Sequence, residues 1–281
     1  MLTRLFCEFR RTKSKQPWLA DRQTVARMTR PLRVHRITAG EVFVDEGRLF
    51  TPGINEGSIV RAPIPVLLVE TGTELILIDT GISPVHMEDS QYSVRGRPIS
   101  QIAEPRLDPE QWLPNQIKGL GLRLDDITGV LNTHLHWDHA GNNTLFEGVA
   151  IYVQRAHFEY AVNADHLYPE NWNKPQLTYE LLDGDDEVVP GIEVIVAEGH
   201  VPGFQAVLVD LVESRPILFA GDAINCENNL RFNTFSDQYN HNAKAAKRSA
   251  NRLREIASDR NALMIFGHDA RQWEHLPKEF K

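Results

Sequence analysis

Eight short runs rich in Val, Ile and Leu recur along the chain from residue 65 onward. Runs of this length and composition, bounded by Gly, Pro, Asp and Asn, predict β-strands. The runs are PVLLVE (65–70), ELILIDTG (74–81), GVLNTH (129–134), VAIYVQ (149–154), IEVIVAEGH (192–200), AVLVDL (206–211), PILFAGD (216–222) and ALMIFGHD (262–269). A further strand-like pattern follows Met28, in the stretch that continues as PLRVHRITAG.

Helical patterns separate several of these predicted strands, at 108–122, 154–165 and 242–259. In the last segment Ala246, Ala250 and Leu253 share one face, whereas the Lys and Arg residues lie mostly off it, as in an amphipathic surface helix. Strands and helices interleave without a long linker or repeat, which predicts one α/β domain over residues 31–281. Residues 44–63 and 163–180 have the Gly, Pro, Asn and aromatic content of surface loops that frame binding sites.

The charge of the chain is unevenly distributed. Residues 1–36 contain ten of the 30 Lys and Arg residues and two of the 38 Asp and Glu residues, so residues 37–281 carry a net charge of −16. Such a body repels a phosphate backbone, which argues against a nucleic-acid partner and against nuclease activity. No run of about 18 apolar residues suggests a membrane span.

Residues 1–30 form a basic extension that we expect to lie outside the core domain. The extension lacks the apolar segment of a secretory signal, and Met28 offers an alternative start of translation. Cys7 and Cys226 are the two cysteines of the chain, so no disulfide framework is indicated. A cytoplasmic location is the resulting expectation.

Potential metal ligands follow directly after four of the predicted strands. One stretch, THLHWDHAG, contains three histidines and an aspartate within six residues, and three further ligands end later runs. The ends of strands on one edge of an α/β sheet form the crevice where sites are built, so these pieces of chain are expected to converge. Imidazole and carboxylate donors in an H-x-H-x-D-H turn suit transition metals, and one such turn can serve two ions. The residues are His134, His136, Asp138, His139, His200, Asp222 and His268.

These motifs resemble the signature of the metallo-β-lactamase superfamily, read here as THLHWDHAG, EGH, GDA and FGHD. Within that superfamily the chain is most similar to the N-acyl homoserine lactone lactonases, which degrade quorum-sensing signals. The likeness extends over most of residues 32–281 and includes PVLLVETGTELILIDTG, VQRAHFEYAV and GDAINCEN. The resemblance implies an αββα sandwich, with two sheets face to face and helices outside.

The resemblance also implies a role for each ligand. His134, His136 and His200 would bind a first metal ion; Asp138, His139 and His268 would bind a second; and Asp222 would bridge the two. Asp79, in LIDTG, would orient ligands from beneath the site. The expected cofactor is two Zn²⁺ ions, although the same donors accept cobalt, manganese or iron.

The chemistry implied is hydrolysis of a lactone. Two ions about 3.5 to 4 Å apart share a water and lower its pKa toward about 7, so that a bridging hydroxide attacks the carbonyl carbon. Asp138 would carry the proton to the departing alkoxide, and Asp222 would hold the two ions that generate the nucleophile. The expected partner is therefore a small lactone, most simply an N-acyl homoserine lactone, and a homodimer is a further expectation.

Alternatives within the superfamily stay open at this point. Zinc β-lactamases generally lack the bridging aspartate, and Cys226 is too late in the chain to replace it. A thioesterase of the glyoxalase II type shares the whole ligand set, and a pyridoxolactonase opens another lactone by the same chemistry. A scaffold without activity is the alternative from another class, but such proteins tend to have lost ligands.

One residue departs from the lactonase pattern. Many relatives have a tyrosine three residues after the bridging aspartate, and Asn225 stands at that position in GDAIN. An amide can donate a hydrogen bond to the lactone carbonyl, but it is shorter than a phenol and has no acidic proton. Trp137 and Phe232 are predicted to contact the substrate, with Trp172 as a further wall of an acyl-chain groove.

Overall fold

A computed structural model describes residues 30–164 and 167–281. In that part of the chain the strands are β1 (Pro31–Asp45), β2 (Ile59–Thr71), β3 (Leu75–Ile78), β4 (Ala103–Arg106), β5 (Gly129–Leu131), β6 (Ala150–Gln154), β7 (Thr178–Leu182), β8 (Asp186–Val189), β9 (Ile192–Val196), β10 (Gln205–Val209), β11 (Ile217–Gly221), β12 (Leu263–Phe266) and β13 (Glu279–Phe280). The α-helices are α1 (Glu46–Leu49), α2 (Leu113–Gly119), α3 (Arg155–Ala161), α4 (Glu227–Phe232), α5 (Ala243–Asp259) and α6 (Ala270–His275).

The strands form two mixed sheets. The first has the order β13-β1-β2-β3-β5-β6-β7, with β4 paired to β1, and the second has the order β12-β11-β10-β9-β8. Pairing is parallel from β3 through β5 and β6 to β7, and again between β11 and β12, and antiparallel in the other pairs. Parallel neighbours end at the same edge of a sheet, which places the loops after β3, β5 and β6 together.

Side-chain alternation divides the core into three layers. On β2, Leu67 and Val69 pack with residues of the second sheet, such as Val207 and Phe219, in the interior between the sheets. The intervening Val66 and Leu68 pack outward with Leu113 and Ile117 of α2. Ala250 and Leu253 of α5 cover the outer face of the second sheet in the same way. Because β2 is buried on both faces, it reads as a continuous apolar run rather than an alternating one.

This layering is the αββα sandwich that the resemblance implied. Each of the eight apolar runs contains a strand, and each of the three helical patterns contains an α-helix, so those predictions are confirmed. The prediction of continuous loops at 44–63 and 163–180 was wrong in part, because β1 ends at Asp45, α1 occupies Glu46–Leu49, β2 begins at Ile59 and β7 begins at Thr178. The beginnings of β2 and β7 are exposed or partly exposed and lack the apolar pattern of a buried strand.

The boundary of the basic extension was placed at residue 30, and residues 1–29, including Met28 and Cys7, lie outside the described residues. Among the described residues, no helix combines the length and apolar character that a membrane crossing requires.

The metal-ligand segment is held against the first sheet by a close backbone approach. Gly81, just after β3, pairs with Ala140 in an isolated parallel bridge, and the Gly141 N–H donates to the Gly81 carbonyl at 2.9 Å. Gly81 has φ +71°, and a Cβ there would lie 2.3 Å from the Cβ of Ala39. Only glycine fits such a left-handed and crowded position. The loop from 132 to 142 is therefore fixed in place relative to the strands that carry the other ligands.

Candidate metal centre

The seven predicted ligands come from four strand ends and meet at one edge of the two sheets. Their donor atoms fall into two groups, and within each group the donors lie within 4.8 Å of one another. The first group is His134, His136, His200 and Asp222, and the second is Asp138, His139 and His268. The structure thus brings together the three residues that the resemblance assigns to each ion, and it groups Asp222 with the first set; their roles as ligands stay a prediction.

One short loop of backbone, residues 134–139, presents four of the seven ligands. The N–H groups of His139 and Ala140 both donate to the His136 carbonyl, at 3.0 and 2.9 Å, and so fold residues 136–140 into one tight turn. His134 and His136 thereby face the first group, while Asp138 and His139 face the second.

Ring nitrogens crowd together in the first group. His136 Nδ1 lies 2.8 Å from His134 Nε2 and 3.0 Å from His200 Nε2, and His200 Nε2 lies 3.3 Å from Asp222 Oδ2. Three imidazoles with nitrogens this close need a shared proton or a cation to offset lone-pair repulsion. A metal ion satisfies all three at once.

Asp222 lies between the two groups. Its Oδ2 is 3.3 Å from His200 Nε2, whereas its Oδ1 is 3.1 Å from His139 Nε2 and 3.2 Å from His268 Nε2. Asp138 completes the second group, with Oδ2 at 3.7 Å from His139 Nε2 and 3.8 Å from His268 Nε2. One carboxylate with an oxygen facing each group has the arrangement of a bridging ligand.

The donor set fits a bound cation. His139 Nε2 and Asp222 Oδ1 are buried and have no hydrogen-bond partner of suitable geometry, although they lie only 3.1 Å apart. Buried polar atoms are otherwise almost always paired, so two such atoms facing each other mark a place for a further partner. Imidazole and carboxylate donors without thiolates are typical of zinc and related divalent metals.

Burial and charge set the protonation of the ligands. Burial lowers the pKa of His134, His136 and His200, which favours the neutral rings that bind metals. Burial also raises the pKa of Asp138, while for Asp222 it is outweighed by His139, His268 and His200, which hold the Asp222 pKa well below its usual value. Asp222 is thus an anion.

The carboxylates raise the pKa of the two remaining ligand histidines, His139 and His268. Burial by itself lowers the pKa of His139, but Asp222, Asp138 and Asp79 outweigh it and raise that pKa well above its usual value. The same balance between burial and Asp222 raises the pKa of His268. Negative charge in the second group therefore attracts either protons or a cation.

Asp79 orients the second group from below. Its carboxylate is fully buried and accepts hydrogen bonds from the Thr133 N–H and hydroxyl, each at 2.8 Å. His139 Nδ1 lies 2.9 Å from Asp79 Oδ2, so the ring donates from Nδ1 and leaves Nε2 for the ligand position. Asp79 has φ +62°, a strained conformation that the surrounding contacts impose. The predicted role of Asp79 in orienting a metal ligand stays a prediction, for which this contact with His139 is the geometric basis.

His157 is a supporting residue that the sequence did not reveal, since a lone histidine in a helical pattern carries no ligand spacing. Its Nε2 accepts from the Leu135 N–H at 2.8 Å, and its Nδ1 lies 2.9 Å from the Pro202 carbonyl. The ring therefore ties the His134–His136 segment to the loop that follows His200. Burial lowers the pKa of His157 to about 4, so the imidazole stays neutral and can both accept and donate.

A cavity of about 520 Å³ opens onto the ligands. His136, Asp138, His200, Asp222 and His268 form its metal-facing part, and the predicted contacts Trp137 and Asn225 line it as well. The structure also brings in residues with no motif in the sequence, among them Ser93, Arg97, Tyr160 and Tyr239. These come from the segment before β4, from α3 and from the loop before α5, and no local pattern in the sequence discloses that they meet.

Two residues that were predicted to contact the substrate do not line the cavity. Phe232 is 44% exposed at the end of α4, where Arg231 lies over its ring, and it does not line the cavity. Trp172 is fully buried and packs against Phe158 in a separate apolar cluster. Their aromatic character reflects surface contact and core packing, the commoner uses of such residues.

Comparisons with known proteins agree with this geometry. The sequence pattern of the metallo-beta-lactamase superfamily matches residues 60–268 of the chain. An N-acyl homoserine lactonase of a Bacillus species is 30% identical over 244 residues, covering 85% of this chain and 94% of that protein. The lactonase AttM of Agrobacterium fabrum is 30% identical over 233 residues, covering 79% of this chain and 88% of its own.

Solved structures give the same result. An N-acyl homoserine lactone hydrolase with the product N-hexanoyl-L-homoserine bound at its catalytic metal centre superimposes with a TM-score of 0.81 at 28% identity, covering 88% of this chain and 97% of that chain. A Bacillus thuringiensis AiiA variant with N-decanoyl-L-homoserine at its active site has the same TM-score, identity and coverage.

A two-sheet sandwich with this ligand set defines a metal-dependent hydrolase of the metallo-β-lactamase superfamily, and the chain belongs to that superfamily. Within the superfamily it belongs to the N-acyl homoserine lactonases, whose members are hydrolases of an ester bond. The resemblance drawn from the sequence motifs is thereby confirmed.

Removing the shared carboxylate should remove most of the metal affinity. We expect zinc to raise the melting temperature of the wild-type protein by roughly 5 to 10 °C at 100 times its dissociation constant. Asp222→Ala should lose most of that shift, because the variant leaves both groups without their common anionic ligand. Thermal unfolding with and without zinc measures the difference. Asp125→Ala, at an exposed site, is the control, and a full zinc shift in Asp222→Ala would contradict the bridging role.

Proposed function

We propose that the chain is a dinuclear zinc hydrolase that opens the ring of N-acyl homoserine lactones. The observation that carries the proposal is the pair of ligand groups sharing Asp222 at the floor of a cavity. Family membership supports it, because the named relatives are N-acyl homoserine lactonases and related structures bind N-acyl homoserines as products.

The ligand groups assign a place to each ion. His134, His136 and His200 would hold one ion, Asp138, His139 and His268 the other, and Asp222 both. When bound, such ions lower the pKa of water and polarise a carbonyl oxygen as Lewis acids.

The residues of the chain then have separate tasks. Asp222 and the ligand histidines would hold the ions beside the lactone carbonyl. Asp79 and His157 hold the ligand loops in position. Asp138 lines the cavity beside the second ligand group, so it is placed to accept a proton and deliver it to the departing alkoxide of the lactone.

Asn225 is placed to contact the substrate. It lines the cavity, is 8% exposed, and its Oδ1 is buried without a hydrogen-bond partner. The side-chain NH₂ group offers a donor for a carbonyl oxygen of the substrate. Apolar residues, including Val42, Leu49, Phe50 and Ile99, supply the wall for an acyl chain.

The alternative functions within the superfamily, and the role of a scaffold, are less well supported. A thioesterase of the glyoxalase II type or a pyridoxolactonase would use the same ligands. A scaffold role does not require the complete set of seven ligands that the chain retains. The cytoplasmic location, the homodimer and the separation of residues 1–30 from the domain stay predictions.

A substrate panel tests the proposal. Zinc-loaded protein should hydrolyse N-hexanoyl and N-decanoyl homoserine lactone, giving products heavier by one water in mass spectrometry. We expect a glutathione thioester, pyridoxolactone and a β-lactam to react at least about a hundredfold more slowly in kcat/KM, since each places a different leaving group or ring in the cavity. Turnover of the thioester or pyridoxolactone without that of the acyl homoserine lactones would refute the substrate assignment.

A second variant tests the role of position 225. Asn225→Tyr should raise kcat on N-hexanoyl homoserine lactone about threefold or more, because a phenol is a stronger hydrogen-bond donor toward a developing oxyanion than an amide. Steady-state kinetics on wild type and variant measure the effect. Asn225→Phe carries the same ring without the hydroxyl and should show no gain; equal rates for the Tyr and Phe variants would rule out a role for the hydroxyl.

A further inference from the structure

Phe50 contacts one of the ligand histidines directly. Its ring lies parallel to the imidazole of His268, with the ring centres 5.7 Å apart and the two planes 4° from each other. Both residues are buried, each 4% exposed. Parallel aromatic rings at this separation attract each other, so Phe50 covers one face of a residue that belongs to the second ligand group.

A hydrogen bond fixes only part of the geometry of His268. Its Nδ1 lies 2.8 Å from the Pro63 carbonyl, so this nitrogen donates, and Nε2 is left for the ligand position, 3.2 Å from Asp222 Oδ1. A ring held at one nitrogen can still tilt about that hydrogen bond, because hydrogen bonds to carbonyl oxygens tolerate a broad range of directions. The flat face of Phe50 limits the tilt, since a tilted imidazole would collide with it.

The stacked rings also border two cavities. Phe50 and His268 line the cavity of about 520 Å³ at the metal ligands and, in addition, a smaller cavity of about 20 Å³. The smaller cavity has charged side chains in its wall, among them Glu46, Asp269 and Arg271, and its volume suffices for about one water molecule. The two rings are therefore part of the wall between these cavities.

Loss of the Phe50 ring would give His268 room to turn away from Asp222. The two cavities would join, and the imidazole would gain access to the smaller one. Glu46, which is 6% exposed, has there a buried Oε2 without a hydrogen-bond partner, 3.7 Å from the Arg271 guanidinium. A carboxylate oxygen of this kind is an acceptor that competes with a metal ion for the imidazole.

Phe50 is itself fixed to the chain that follows Asp222. The side chain of Asn229, in α4, is fully buried; it donates to the Phe50 carbonyl at 2.8 Å and accepts from the Cys226 N–H at 3.0 Å. The Phe50 N–H donates to the Glu46 carbonyl at 2.9 Å, at the end of α1. Both backbone polar groups of Phe50 are thus paired, and the ring is held against His268.

We propose that Phe50 is a positioning residue for the second metal ion and acts through the imidazole of His268. The ring keeps Nε2 directed at Asp222 and so raises the affinity of the second ligand group for its ion. A metal-bound imidazole also gains positive charge, which strengthens its attraction to an aromatic face. The proposal rests on the dinuclear centre of the proposed function, and it does not depend on which substrate is hydrolysed.

Titration of the metal-free protein with Co²⁺, followed by visible absorption, tests the proposal. Cobalt reports both occupancy and the geometry of its ligands. Phe50→Met removes the flat ring but keeps most of the apolar volume. We expect one of the two binding steps to weaken about tenfold and the absorption of that ion to change, while the other step stays within about threefold of wild type.

Phe146→Met is the matched control. Phe146 is a buried phenylalanine, 2% exposed, in the apolar cluster that packs the first sheet against α2, and it does not line the cavity. This variant loses a buried ring as Phe50→Met does, and it should keep both binding steps. If Phe146→Met weakens the same step as Phe50→Met, the effect is general destabilisation and the proposal is overturned.

A double variant shows whether the effect passes through His268. His268→Ala alone should weaken the same binding step. Adding Phe50→Met to it should cause no further loss, because the ring then has no ligand to hold. A further loss as large as that in the single variant overturns the proposal, and so do wild-type values at both steps in Phe50→Met. Phe50→Leu replaces Phe50→Met in these comparisons if the methionine variant does not fold.

Metal binding separates this proposal from the proposed function. If wild type binds two ions and Phe50→Met shows the selective loss, but no acyl homoserine lactone is hydrolysed, the function is wrong and the role of Phe50 stands. Lactone turnover with two bound ions and no effect of Phe50→Met keeps the function and overturns the role of Phe50. A wild-type protein that binds a single ion overturns both.

Discussion

The buried carboxylate of Asp222 is the contact on which the centre depends. Four histidine ring nitrogens lie 3.1 to 4.0 Å from its two oxygens, and they come from three different loops. A buried anion is costly unless cations and donors compensate it, and a crowd of imidazoles is costly without a cation to share. Metal ions bound between them would resolve both costs, and metal binding would then be coupled to the folding of the loops.

The strands that end at this edge of the fold hold the ligand loops in place. Parallel strands β3, β5 and β6 end together, and β11 and β12 bring Asp222 and His268 to the same place from the second sheet. Polar contacts then set the positions: Asp79 fixes the ring of His139, His157 ties two ligand loops, and the Pro63 carbonyl lies 2.8 Å from His268 Nδ1. Rigid support of this kind keeps metal ligands near their productive geometry.

The sequence predicted the ligands better than their surroundings, for a physical reason. His134 to His139 share one turn, so their spacing is visible in the sequence, and the downstream ligands each follow a strand that an apolar run reveals. His157 acts through contacts between segments far apart in the chain, and such contacts leave no local pattern. Phe232 and Trp172 show the converse, since an aromatic residue alone does not tell a cavity wall from ordinary packing.

Anomalous diffraction from crystals grown with zinc, recorded above and below the zinc absorption edge, tests the central claim most directly. Two peaks about 3.5 to 4 Å apart are expected, one bound by His134, His136 and His200, the other by Asp138, His139 and His268, with a carboxylate oxygen of Asp222 on each. A single peak, or two ions of which Asp222 contacts only one, would contradict the account of a shared carboxylate at a dinuclear centre.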